Sequence, residues 1–233
     1  MQSKMYFLNV FSQDTRMNLV KRTAQLSLLV QLLSGVATLA SFFVPAPQNY
    51  KYTNDLYTIL GIEGTSQGIE FLYYSVVVLC FNGNIVTWTR YIDWYISTPV
   101  MLVSTAMFLE HRKQGRILDV VDIRISPTMY IALALNALML SFGLAMELGT
   151  IPRFVGLAMG GLSFVGTFTF LGMLVDANDA ISSWLFYVMY GVWGLYGVAA
   201  SLSYVSKNIM YNFLDIVSKN FYGVFLFVYL MTR

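Results

Sequence analysis

The chain has 233 residues, 57% hydrophobic, 16% aromatic and 11% charged, with a net charge of +2 and a mean hydropathy of +0.63. A soluble domain carries about 25% charged residues, so this composition excludes an ordinary soluble enzyme, a disordered chain and a nucleic-acid binder marked by a basic patch. One cysteine, Cys80 in an apolar run, and one histidine, His111 among loop charges, exclude a disulfide framework and a metal centre built on Cys or His; Cys80 is expected to be packed.

A membrane-spanning helix takes roughly 20 mostly apolar residues. At about 30 residues for each span with its loop, a chain of this length holds about seven. Residues 1–22 are mixed and polar, and Met5, Tyr6, Phe7, Leu8, Val10 and Phe11 suggest a short interfacial helix ahead of the first span. The spans follow at about 23–44, 58–81, 86–109, 126–148, 152–175, 181–204 and 208–231. Pro45, Pro47, Gln48 and Asn49 close the first, and Asn82-Gly83-Asn84 closes the second. Glu110 to Gly115 is a charged loop, Gly149 to Pro152 a tight turn, and Asp176 to Asp179 a polar one. Short loops make successive helices antiparallel neighbours, so residues 23–233 form one all-α, seven-helix bundle in a lipid bilayer. Lys4, Arg16, Lys21, Arg22, Arg153 and Lys207 flank one side; Lys51, Arg112, Lys113, Arg116, Arg124 and Arg233 flank the other. The positive-inside rule therefore returns a tie.

Ionisable groups inside spans cost several kcal/mol and are functional candidates by default. This chain has Glu63, Glu70, Asp93, Asp215 and Lys219 there, with Arg90 near the start of the third span. Asp215 and Lys219 stand four apart on one helix, and Arg90 and Asp93 three apart on another. Either these are two structural ion pairs, or the lysine amine is covalently occupied and faces carboxylates that balance its charge. A lysine in an apolar bundle suits Schiff-base formation with an aldehyde.

Polar residues also recur in stripes. On the first helix Ser27, Gln31, Ser34, Thr38 and Ser41 fall at i, i+4, i+7, i+11 and i+14; on the second Glu63, Gln67, Glu70 and Tyr74 fall at i, i+4, i+7 and i+11. Each set is one face of a helix. The seventh helix adds Asn212 and Asn220. Such stripes serve interhelical hydrogen bonding or line a hydrated cation path, a path apart from the charges around Lys219.

The segment Arg90-Tyr91-Ile92-Asp93-Trp94-Tyr95-Ile96-Ser97-Thr98-Pro99 resembles the third helix of microbial rhodopsins, and Leu214-Asp215-Ile216-Val217-Ser218-Lys219 resembles their seventh. The resemblance implies all-trans retinal held as a Schiff base on Lys219, with Asp93 and Asp215 as counterions supported by Arg90. Trp94, Thr98 and Met101 would line the chromophore from the third helix, Asn136, Met139 and Gly143 from the fourth, and Trp193 and Tyr196 from the sixth. Gly197 stands where the family usually has proline, and the fifth helix, without a Trp, offers Met159, Ser163 and Phe164. Where efficient outward proton pumps of this family carry a carboxylate eleven residues after the counterion, this chain has Ser104; four residues after it, Ser97 replaces the usual threonine.

Glu63 and Glu70, seven apart, with Asn212 seven before the lysine and Asn220 directly after it, are further similar to the group 1 viral rhodopsins. These are light-gated cation channels of giant viruses. That likeness implies a channel and not an enzyme, passing monovalent cations such as sodium, potassium or protons past Gln31, Ser34, Glu63, Gln67, Glu70, Arg90, Asn212 and Asn220. It also implies inhibition by calcium and, for a viral gene, a multi-pass place in the host membrane. A weak outward proton pump is the alternative. A photosensor is a third, which the short loops disfavour. Nucleic acid is not an expected partner, and assembly into a homo-oligomer is left open.

Overall fold

The computed structural model describes residues 2–43, 53–114 and 127–232. Helix α1 runs unbroken over Gln2–Ser41, so residues 2–22 continue into the first span within one helix. Helix α2 (Thr53–Ser75) ends in a π-helical turn, Val76–Cys80. A 3-10 turn, Thr87–Thr89, leads into α3 (Arg90–Gln114), and α4 (Pro127–Glu147), α5 (Arg153–Gly172) and α6 (Ala180–Ala200) follow. Helix α7 spans Tyr204–Met231 and is interrupted by a second π-helical turn, Ile216–Asn220, which carries Lys219. The proline turn at 45–49 lies outside the described residues, as do Lys51, Arg116, Arg124 and Arg233.

The turns follow their sequences. Asn82 (φ 52°) and Gly83 (φ 76°) take the left-handed conformation after α2. Gly149 (φ 72°) ends α4 in a Schellman motif: the Thr150 amide donates to the Ala145 carbonyl at 2.9 Å and the Gly149 amide to that of Met146 at 3.1 Å. Asp179 caps α6, accepting from the amide of Ser182 at 3.3 Å and from its hydroxyl at 2.6 Å. The same carboxylate takes both Nε and Nη2 of Arg112, whose Nη1 donates to the Tyr229 hydroxyl at 2.7 Å, tying α3, α6 and α7 together at one end of the bundle.

The outer faces of the bundle are apolar, while its interior sets many buried polar and charged residues beside an apolar core. Leu33 and Val36 on α1, Leu162 and Val165 on α5, and Phe221, Val224 and Val228 on α7 face outward, whereas Ser27, Gln31, Glu63, Glu70, Arg90 and Asp215 are fully buried. That arrangement is what a lipid solvent selects. Among the described residues five helices are long and apolar enough to cross a membrane, within Thr15–Ser41, Thr87–Lys113, Pro127–Glu147, Arg153–Gly172 and Tyr204–Met231. Helix α2 falls short because of Glu63, Gln67 and Glu70, and α6 because tyrosines, tryptophans and glycines are only weakly apolar. Both still pack as full members of the seven-helix bundle. The expectation for Cys80 is corrected: it is exposed on the outside of the π-helical turn. His111, expected among loop charges, is buried in the last turn of α3.

Candidate functional site

Lys219 is buried at the centre, where the π-helical turn of α7 meets α2 and α3. Its Nζ donates to Asp93 Oδ2 at 2.6 Å and lies 3.6 Å from Glu70 Oε1. The intrahelical pairs suggested by spacing are replaced by cross-helix ones. Lys219 reaches Asp93 on α3 and Glu70 on α2, while Asp215 binds Arg90 at 3.0 Å. Glu70 thus belongs both to the polar stripe of α2 and to the charges around Lys219, two sets the sequence had kept apart.

Asp215 accepts from three donors. Its Oδ2 accepts from Arg90 Nη1 at 3.0 Å and from the Tyr74 hydroxyl at 2.7 Å; its Oδ1 accepts from the Tyr196 hydroxyl at 2.7 Å. The Arg90 guanidinium also donates through Nε to Asn208 Oδ1 at 3.2 Å and through Nη2 to Asn212 Oδ1. Asn212 Nδ2 donates in turn to Thr23 Oγ1 at 2.8 Å, and Asn208 Nδ2 to Thr87 Oγ1 at 3.0 Å. Tyr73, Tyr74 and Tyr211 present their rings 5.5–6.0 Å from the guanidinium carbon. This network closes the bundle on the Arg90 side of Lys219. Asn208 was not singled out by sequence, although Asn208, Asn212, Asp215 and Lys219 fall at i, i+4, i+7 and i+11, the same one-face rule that exposed the other stripes.

On the other flank of Lys219 lies a cavity of about 460 Å³. Of the pocket residues expected from sequence, Trp94, Thr98, Met101, Met139, Gly143, Trp193, Tyr196 and Lys219 stand on its wall. Asn136 stands behind the wall and donates to Thr98 Oγ1 at 2.8 Å. Of the three α5 candidates, Phe164 lines the cavity; Ser163 turns its hydroxyl to the Met159 carbonyl at 2.9 Å, and Met159 faces outward. Sequence reasoning missed Tyr91, Tyr211 and the α5 glycines Gly156, Gly160 and Gly161. Two glycines set the width: a Cβ at Gly143 would fall 2.7 Å from the Tyr91 hydroxyl oxygen, and one at Gly156 would fall 2.5 Å from Met146 Cβ.

The polar stripes converge on a seam between α1, α2 and α7. Ser34 Oγ donates to Asn220 Oδ1, Thr38 Oγ1 to Gln67 Oε1 at 2.9 Å, and Gln31 Nε2 to Ser27 Oγ at 2.9 Å. Towards the Arg112 end, Ser104 Oγ of α3 donates to Glu63 Oε2 at 2.8 Å. Both Glu70 oxygens, Glu63 Oε1, Gln31 Oε1 and Asn220 Nδ2 make no hydrogen bond within the protein, although all are buried. Buried polar atoms are normally satisfied, so these groups stand out along the seam.

A family model described as bacteriorhodopsin-like protein matches residues 22–233. The chain belongs to that family of microbial rhodopsins, seven-helix proteins of the membrane. A bacteriorhodopsin-II-like protein of Haloquadratum walsbyi (strain DSM 16790 / HBSQ001) is 24% identical over 159 residues, a match covering 60% of this chain and 59% of that relative's length. The solved structure of the viral rhodopsin OLPVRII superposes with a TM-score of 0.80 at 24% identity, covering 91% of this chain and 97% of that one. That of xanthorhodopsin, a light-driven ion pump with dual chromophore, superposes with a TM-score of 0.70 at 16% identity, covering 94% of each. The family implies retinal, and the residues fit it: a long, mostly apolar cavity ends on a buried amine whose charge is met by Asp93 at 2.6 Å.

Proposed function

We propose that this protein is a light-gated channel for monovalent cations, with retinal carried on Lys219. Retinal so bound would supply light absorption and a change of shape at Lys219 Nζ, the nitrogen keeping one proton of the lysine ammonium. Asp93, whose Oδ2 has Lys219 Nζ as its donor, is the group placed to take that proton. Asp215, which accepts from Arg90, Tyr74 and Tyr196, holds the geometry around it. Neutralising Asp93 changes the field at Glu70, 3.6 Å from the same nitrogen, and at Arg90 beyond it.

The observation that carries the channel reading is the buried seam itself. Carboxylate, carboxamide and hydroxyl oxygens of α1, α2 and α7 succeed one another past Lys219, and several make no hydrogen bond within the protein. Oxygens in series can replace a cation's hydration shell, and carboxylates exclude anions. Calcium reduces the current in this reading by competing at Glu63 or Glu70. The membrane would be the host's if the gene is viral. The test is the light-evoked current of a voltage-clamped cell. Asn220→Ala should change its size or ion preference with the visible band in place, and an unaltered current would oppose the reading.

One observation favours the runner-up, a weak outward proton pump. Ser104, at the position where efficient pumps carry a carboxylate, is hydrogen-bonded to Glu63 at 2.8 Å. A carboxyl group therefore stands beside that position, supplied by α2 instead of α3.

A further inference from the structure

Gly223 lies one helical turn after Lys219 on α7, in regular helix without the positive φ that would call for glycine. Glycine weakens a helix interior, so its presence needs another reason. A Cβ at this position would fall 2.1 Å from Gln67 Nε2 and 3.0 Å from Gln67 Cδ. The Gln67 carboxamide occupies the space that any other residue's side chain would take.

The carboxamide is oriented there from two sides. Its Oε1 accepts from Thr38 on α1 at 2.9 Å, which directs Nε2 towards α7. Nε2 lies 3.5 Å from the backbone carbonyl oxygen of Lys219. A carbonyl oxygen has two lone pairs and can accept from its own helix and from Gln67 together. One buried side chain thus spans α1, α2 and α7 at the level of the lysine's own backbone. It also stands midway along the seam, one turn from Glu70 on one side and one turn from Glu63 on the other, each with carboxylate oxygen that makes no hydrogen bond within the protein.

We propose that Gly223 is a positioning residue: its missing side chain seats the Gln67 carboxamide against the Lys219 carbonyl, where it plugs the seam in the dark. The π-helical turn that holds Lys219 lacks regular α-helical pairing and is the part of α7 most able to shift when Lys219 moves. A shift of the Lys219 carbonyl withdraws the plug's acceptor and lets the carboxamide swing aside. This inference rests on the proposed cation path, but the seating of Gln67 can be read without any ion flux.

The test uses three variants of the full-length pigment: Gln67→Ala, Gly223→Ala and the double variant. Light-minus-dark infrared spectra of wild type should contain a carboxamide C=O signal that Gln67→Ala removes. Gly223→Ala should shift or remove the same signal, since its methyl group displaces the carboxamide. In voltage-clamped cells both single variants should change channel closing in the same direction, and the double variant should match Gln67→Ala alone, because Gly223 acts through Gln67. The double variant also restores space for the methyl group, so it folds even where Gly223→Ala does not. A Gln67 signal unchanged by Gly223→Ala overturns the proposal, as do single-variant effects that add. A protein that pumps instead of conducting leaves the infrared result readable, which separates failure of the plug from failure of the channel.

Discussion

Lys219 Nζ and Asp93 Oδ2 stand 2.6 Å apart between α7 and α3, both buried. Lys219→Ala should leave the protein without a visible absorption band after retinal is added, because among the described residues no other lysine borders the cavity. A persistent red-shifted, covalently attached pigment would contradict the assignment of this residue.

Asp93→Asn removes the negative charge nearest that nitrogen and leaves Glu70 at 3.6 Å as its partner. Positive charge localised at the nitrogen then loses ground-state stabilisation, and the visible band should move to the red. Glu70→Gln should move it less, because its carboxylate is farther away. Equal shifts, or none, in absorption spectra of the two variants would count against this division.

Arg90→Met should be among the most destabilising single changes. It leaves the Asp215 carboxylate buried without its cation and removes a donor from the side-chain oxygens of Asn208 and Asn212. Breaking one side of a buried ion pair costs about 3–5 kcal/mol. The midpoint of thermal bleaching should fall clearly below that of wild type, and an unchanged midpoint would show that the pair contributes nothing.

Much of this site was legible in the chain because helical periodicity says which residues share a face. The stripes on α1 and α2 emerged that way, whereas the pocket residues followed from the resemblance to microbial rhodopsins. Periodicity does not say which helix that face meets. Asp215 and Lys219 do share a face, yet each takes its partner from another helix. In lipid, apolarity does not separate core from surface, so Cys80 in its apolar run faces outward. Charged neighbours did not keep His111 exposed: it is buried, its ring 6.5 Å from that of Phe108 one turn earlier on the same helix. Gly223 was not singled out by sequence; its closeness to Gln67 appears only in the structure.

The clamp between Arg112 and Asp179 makes a pH-dependent contribution whose sign follows from its partners. Hydrogen bonds from Arg112, and after it from Ser182, hold the Asp179 carboxyl well below the usual carboxylate range. A group depressed on folding stabilises fully above its unfolded value, about 3.9 for aspartate, and loses that contribution as pH falls towards the folded value. Asp179→Asn should therefore lower the bleaching temperature at neutral pH. The gap from wild type should narrow below about pH 4. A gap of constant size from neutral pH to strong acid would show that the charge is irrelevant there.

The channel reading is tested most directly by light-evoked current measured against voltage under asymmetric cation gradients. A channel passes ions down their gradient, so its current must reverse at the cation equilibrium potential, and the reversal should follow sodium and potassium and ignore chloride, because Glu63 and Glu70 repel anions. A light-driven current that stays outward at every accessible voltage, in symmetric solutions and without regard to sodium or potassium, would contradict the channel and leave Glu63 beside Ser104 as the donor of a pump.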